Sequence, residues 1–207
     1  MSLESADRAC HDLLVHLAGR LPDQLHWRLR DWLAAEPSTH LPRSAISAML
    51  PRELLRHRVG LTNRERDLLG VAVDGWGASR RLLDAVLLIH VSDELGFTFG
   101  PDHEAADLAA LSALAVVRGH PGCTELRLAR RTDGRREQRV VLVHGGERPW
   151  VLAGTLQRVL RAHGDRTPCV EVLPPGTALP RYHQAAVAAS VSLWRTGAVP
   201  ARELVGG

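Results

Sequence analysis

Leu126-Arg127-Leu128-Ala129-Arg130-Arg131-Thr132-Asp133-Gly134-Arg135-Arg136-Glu137-Gln138-Arg139-Val140-Val141-Leu142-Val143 is the stretch on which the fold class turns. Leu126 and Leu128 alternate with polar or small neighbours, which is the period of a strand. Asp133-Gly134 is a type I′ turn signal between two such segments. Val140-Val141-Leu142-Val143 is continuously apolar, so it is expected to be a strand covered on both faces. A two-residue turn would place Leu126 opposite Val141, Arg130 opposite Glu137 and Arg131 opposite Arg136.

On the C-terminal side, a Gly145-Gly146 loop leads into a helix expected over 152–163, with Leu152, Leu156, Val159 and Leu160 on one face. Cys169–Leu173 reads as a third strand and Pro174-Pro175-Gly176 as a turn. Pro180 opens a last helix, expected to run through Trp194 because Val187, Val191 and Trp194 keep helical spacing. On the N-terminal side the period is helical instead. Helices are expected over 3–19 and 23–35, with a linker at Glu36-Pro37-Ser38, then over 43–50 and 51–58, Pro51 serving as a first-turn residue. Thr62 and Glu65 form a capping box for a helix ending at Gly75. Ser79 can cap a further helix along Leu82–His90. Gly96–Pro101 reads as a loop, and Asp102 as the cap of a helix to about Arg118. The expectation is an α+β chain: a helical region over 1–118, a breaker at Gly119-His120-Pro121-Gly122, a small β-β-α-β-α region over 122–196, and a loose tail over 197–207.

Composition narrows the chemistry. All 26 basic residues are Arg and none is Lys, so Schiff-base, Walker-type and kinase-type lysine chemistry is excluded. Three widely spaced cysteines, Cys10, Cys123 and Cys169, suggest no disulfide framework and point to a reducing cytoplasm. Early acids (Glu4, Asp7, Asp12) argue against a signal peptide, and no apolar run is long enough to span a membrane. Charge is uneven: residues 1–100 carry a net −1, whereas residues 126–207 hold thirteen Arg against six acids, a net +7.

Three motifs suggest specific chemistry. Val140–Val143 followed by His144-Gly145-Gly146 resembles the oxyanion loop of α/β-hydrolases, whose backbone N–H groups stabilise developing negative charge. The Gly-x-Ser-x-Gly elbow of those enzymes is missing from the residues that follow. His120 with Cys123, and His163 with Cys169, could in principle meet as zinc ligands, but neither spacing is a standard knuckle, and no metal or other cofactor is expected. Leu61-Thr62-Asn63-Arg64-Glu65 resembles the first helix of LuxR-like helix-turn-helix regulators, with Gly75 at the family's spacing from Glu65. That resemblance implies duplex binding by a second helix within 61–91. The chain departs from the family at Gly77-Ala78 and Arg81, and its Leu82–Val91 segment is mostly apolar.

The densest charge is the hairpin itself: Arg127, Arg130, Arg131, Arg135, Arg136 and Arg139 fall within thirteen residues. Such crowding suits an anion or acidic protein surface, and the lack of interleaved aromatics disfavours single-stranded nucleic acid. Trp76, between two glycines, is expected to be exposed and a contact anchor. The residues therefore point to a non-catalytic, adaptor-like interaction or regulatory protein that engages an acidic partner through the basic hairpin, with homo-oligomerisation possible and no membrane partner. The alternatives are a DNA-binding regulator using residues 61–91 and a small enzyme whose site is scattered along the sequence.

Overall fold

A computed structural model describes residues 2–35, 40–90, 96–102 and 107–197. The linker read at Glu36-Pro37-Ser38 and the tail beyond Gly197 lie outside the described residues. The described chain has seven helices and five strands, helical first and mixed afterwards, as the α+β reading requires. No described helix is long and apolar enough to cross a membrane.

Helices α1 (Leu3–His16), α2 (Asp23–Leu33), α3 (His40–Arg56) and α4 (Asn63–Gly75) share one core built on residues such as Leu13, Leu29, Leu50 and Leu69. Two short helices were expected where α3 runs unbroken through Pro51. The proline removes one backbone bond, but Ile46, Leu50 and Leu54 recur every fourth residue and all pack into the same core, holding both halves in line. The capping box of α4 is present as read. Thr62 Oγ1 accepts from the Glu65 N–H at 3.3 Å, and Glu65 Oε2 accepts from the Thr62 N–H at 2.9 Å.

No helix follows α4 over 79–90. The segment turns, makes one 3-10 turn at Leu83–Ala85, and then pairs its backbone with Leu61. Leu61 N–H donates to Leu87 O at 2.8 Å and Ile89 N–H to Leu61 O at 2.9 Å. Ser79 Oγ accepts the Arg81 N–H locally instead of starting a helix. The helix-turn-helix expected over 61–91 is therefore corrected: its second helix is replaced by a bridge.

The sheet runs β1 (Thr98–Pro101), β2 (Cys123–Thr132), β3 (Glu137–Gly145), β4 (Cys169–Leu173). β1 was expected to be a loop; it is a short edge strand that tolerates Pro101 at its end. β5 (Val191–Arg195) pairs with residues 125–128 of β2, while β1 pairs with residues 129–132. The last helix, α7 (Arg181–Ala189), thus ends earlier than expected. Ser190 Oγ donates back to Val187 O, and the chain leaves to fill the open side of β2. β3 and β4 are parallel, linked by α6 (Pro149–Ala162). α5 (Leu108–Gly119) is capped by Asp107, not Asp102.

The observed hairpin register sets Leu126 opposite Val143, Arg130 opposite Arg139 and Arg131 opposite Gln138, correcting the pairing expected from a two-residue turn. Asp133 causes the shift: its Oδ1 accepts the N–H groups of Arg135 and Arg136 at 2.8 and 2.9 Å, closing a four-residue loop. One sheet face, with Leu126, Leu128, Val141 and Val172, packs with α5 and α6 residues. The other, with Ala129, Val140 and Leu142, packs with Ala186 of α7 and Val15 of α1. The Val140–Val143 run is buried throughout. The outer edge of β4 is closed by side chains: His11 Nε2 donates to Val172 O at 3.0 Å, and Arg30 donates to Val170 O.

Candidate binding cleft beside the arginine hairpin

The six hairpin arginines divide by environment. Arg130 and Arg139, opposed across the ladder, both donate to the fully buried Asp102, at 3.1 and 2.5 Å. One buried carboxylate thus offsets the repulsion of two facing cations. Arg139 also reaches Asp107 at 2.7 Å. Arg127 donates to Glu125 at 2.6 Å and to both oxygens of Ser190. Arg131 points to the face opposite that of Arg130 and is only 4% exposed. Its guanidinium lies 4.4 Å from the Phe97 ring centre and donates to Tyr182 Oη at 3.0 Å and to Asp23 Oδ2 at 2.5 Å. Arg135 and Arg136, at the loop tip, are exposed and make no ion pair among the described residues.

Beside this tip lies a cleft of about 380 Å³. Its walls include Asp23 and Gln24 from the start of α2, Phe97, and Arg131, Arg136 and Gln138 of the hairpin. α2 begins at Pro22 without a side-chain cap. Asp133 also lines the cleft, its carboxyl held below the usual range by the backbone N–H groups of Arg135 and Arg136 and, to a smaller extent, by the charge of the Arg136 side chain.

Behind Arg131 a buried polar cluster continues inward. Tyr182 Oη lies 3.6 Å from Cys169 Sγ, which lies 3.9 Å from Glu171 Oε1. Glu171 is fully buried and accepts from Arg30 at 2.9 and 2.6 Å and from His183 Nε2 at 2.9 Å. Burial alone would raise the Glu171 pKa, but Arg30 and His183 hold it well below the ordinary range. Burial pushes the Cys169 thiol up to about 12 and raises Tyr182 as well. A thiol held in this way stays protonated and is a poor nucleophile. Sequence reading passed over this cluster. The available signal was Glu171 inside Cys169-Val170-Glu171-Val172-Leu173: a strand joined to its parallel neighbour by a crossover is covered on both faces, so an acid within it needs a buried partner.

Other residues singled out from the sequence do different work. Trp76 is half-buried, and its Nε1 donates to Asp7 Oδ1 at 2.9 Å, a carboxylate also gripped by Arg43 at 2.8 and 2.6 Å. As the C-cap of α4, which packs on α1, it is an internal brace; the expected exposed anchor is corrected. In the His-Gly-Gly loop, Gly146 N–H donates to Gly122 O at 2.9 Å and Glu147 N–H to Pro121 O at 3.0 Å, so these donors already have acceptors. His120 bonds Glu147 O and His163 bonds Ser112 Oγ. Among the described residues no group of three or more His, Cys, Asp or Glu is placed to hold a metal. No family model matches the chain, and neither a curated protein nor a solved structure matches it.

Proposed function

We propose that the chain is a non-catalytic interaction protein that engages an acidic partner through the tip of the β2–β3 hairpin. The observation that carries this reading is the division among the arginines. Four are tied to acids or serine oxygens of the chain itself, leaving the charges of Arg135 and Arg136 directed at solvent. Their loop is preorganised: Asp133 binds both their N–H groups, and Thr132 Oγ1 accepts the Gly134 N–H at 3.0 Å. A loop already ordered loses little freedom on binding. We place this work in the cytoplasm, a reading in keeping with three free thiols.

The test is fluorescence anisotropy with a labelled hexaglutamate peptide at low salt. Replacing both Arg135→Ser and Arg136→Ser is expected to weaken binding by about twentyfold, with an unchanged circular dichroism spectrum. Equal binding by wild type and the double variant contradicts the proposal.

A further inference from the structure

We infer that the group recognised in the cleft is a carboxylate of the acidic partner, and that Asp23 occupies its place in the free protein. This rests on the hairpin reading above and adds to it a site, a chemical class and an internal competitor.

The argument begins with the unequal anchoring of the Arg131–Asp23 pair. The Arg131 side chain is 4% exposed, and Tyr182 and Phe97 set its direction. The Asp23 side chain is 37% exposed and stands at the first position of α2, on the cleft wall. One partner is therefore built into the protein, whereas the other stands at the solvent boundary. Arg136 lines the same cleft with no ion pair among the described residues. An entering carboxylate meets Arg136 first and can then exchange with Asp23 at the outward edge of Arg131. Planar guanidinium and carboxylate groups match in shape and charge. The displaced Asp23 keeps a favourable position, because a carboxylate in the first turn of a helix interacts well with the N-terminal backbone dipoles.

The cleft's own acids favour a singly charged group at this position. Asp23 and Asp133 both line it, so a phosphate dianion would bring two charges against two carboxylates, whereas a side-chain carboxylate brings one. Arg135 does not line the cleft, which separates local recognition from general attraction to a basic tip.

The experiment uses the full chain and the same labelled hexaglutamate, with four proteins: wild type, Asp23→Asn, Arg136→Gln and Arg135→Gln. Removing the competitor in Asp23→Asn is expected to tighten binding by about fivefold, although the chain loses a charge-assisted bond. Arg136→Gln is expected to weaken binding by about tenfold and Arg135→Gln by about twofold. Acetate, which carries a single charge, is expected to displace the peptide at lower concentration than inorganic phosphate. Unchanged or weaker binding by Asp23→Asn, equal losses for the two arginine variants, or stronger competition by phosphate each overturns the inference. Because Arg136→Gln and Arg135→Gln alter exposed side chains, their comparison stands even if Asp23→Asn melts early. If wild type fails to bind hexaglutamate, the broader reading falls too. If it binds and the Arg135→Ser, Arg136→Ser double variant does not, but Asp23→Asn has no effect, only this inference fails.

Discussion

His11 and His26 are buried histidines that each donate Nε2–H to a backbone carbonyl, of Val172 and Leu14 respectively. A carbonyl can only accept, so Nε2 carries the proton, and burial keeps the rings neutral by pushing both pKa values down to about 3. The unfolded chain, with imidazoles near 6.5, takes up protons that the fold refuses. Both groups therefore stabilise the fold fully above about pH 6.5, and this contribution falls as pH drops from there toward 3. Glu171 adds to the same trend at lower pH. Its depressed folded pKa gives stability present above the unfolded value of 4.5 and lost as pH falls below it. The urea midpoint is expected to drop steadily between pH 6.5 and 4.5, and His26→Gln should remove about one proton from that slope, or about 1.4 kcal/mol per pH unit. A midpoint constant over this range would contradict the neutral, buried assignment. None of this was readable from the sequence, where a histidine on a helix and one arginine among 26 look like surface residues.

Pairs of elements show where local signals ran out. The alternation around Leu126 and the Asp133-Gly134 turn located the hairpin, but turn length set the wrong partners. Because the true register differs by two residues, every side chain kept its face, and the core assignment of Leu126, Leu128, Val141 and Val143 was unaffected. β5 was hidden for another reason: Val187, Val191 and Trp194 fit a helix stripe, and only the open side of β2, a long-range partner, selects a strand there. The contact of α2 with α6 was equally unreadable. An ideal Cβ added at Gly154 would lie 2.2 Å from the Ala34 Cβ, a methyl with no rotamer to move away. Gly154→Ala should push the helices apart and cost about 1–3 kcal/mol in urea unfolding, and Ala34→Gly in the same chain should restore most of it. A silent Gly154→Ala would show that the two helices do not approach this closely.

Across the whole molecule, the helical layer and the sheet are joined by specific polar contacts as well as by packing. Trp150 of α6 sits in the core of α1–α4, and Arg30 of α2 both closes the edge of β4 and pairs with Glu171. The Arg131–Asp23 pair makes a third connection, and it is the one that opens onto a cleft. The sequence showed that the C-terminal part is basic; it could not show which charges were already neutralised, since Asp23 lies 108 positions from Arg131. Exposed arginines also occur elsewhere, for example Arg158 and Arg161 on α6, so net charge alone does not select the hairpin. Nuclear magnetic resonance of the 15N-labelled chain, titrated with unlabelled hexaglutamate at low salt, tests that selection most directly. The account predicts that the backbone amides of residues 23–24 and 133–136 and the Arg136 Nε–H shift together, while the amides around Arg158 and Arg161 stay in place. Shifts confined to α6, or an unmoved hairpin at peptide concentrations that saturate binding, would contradict it.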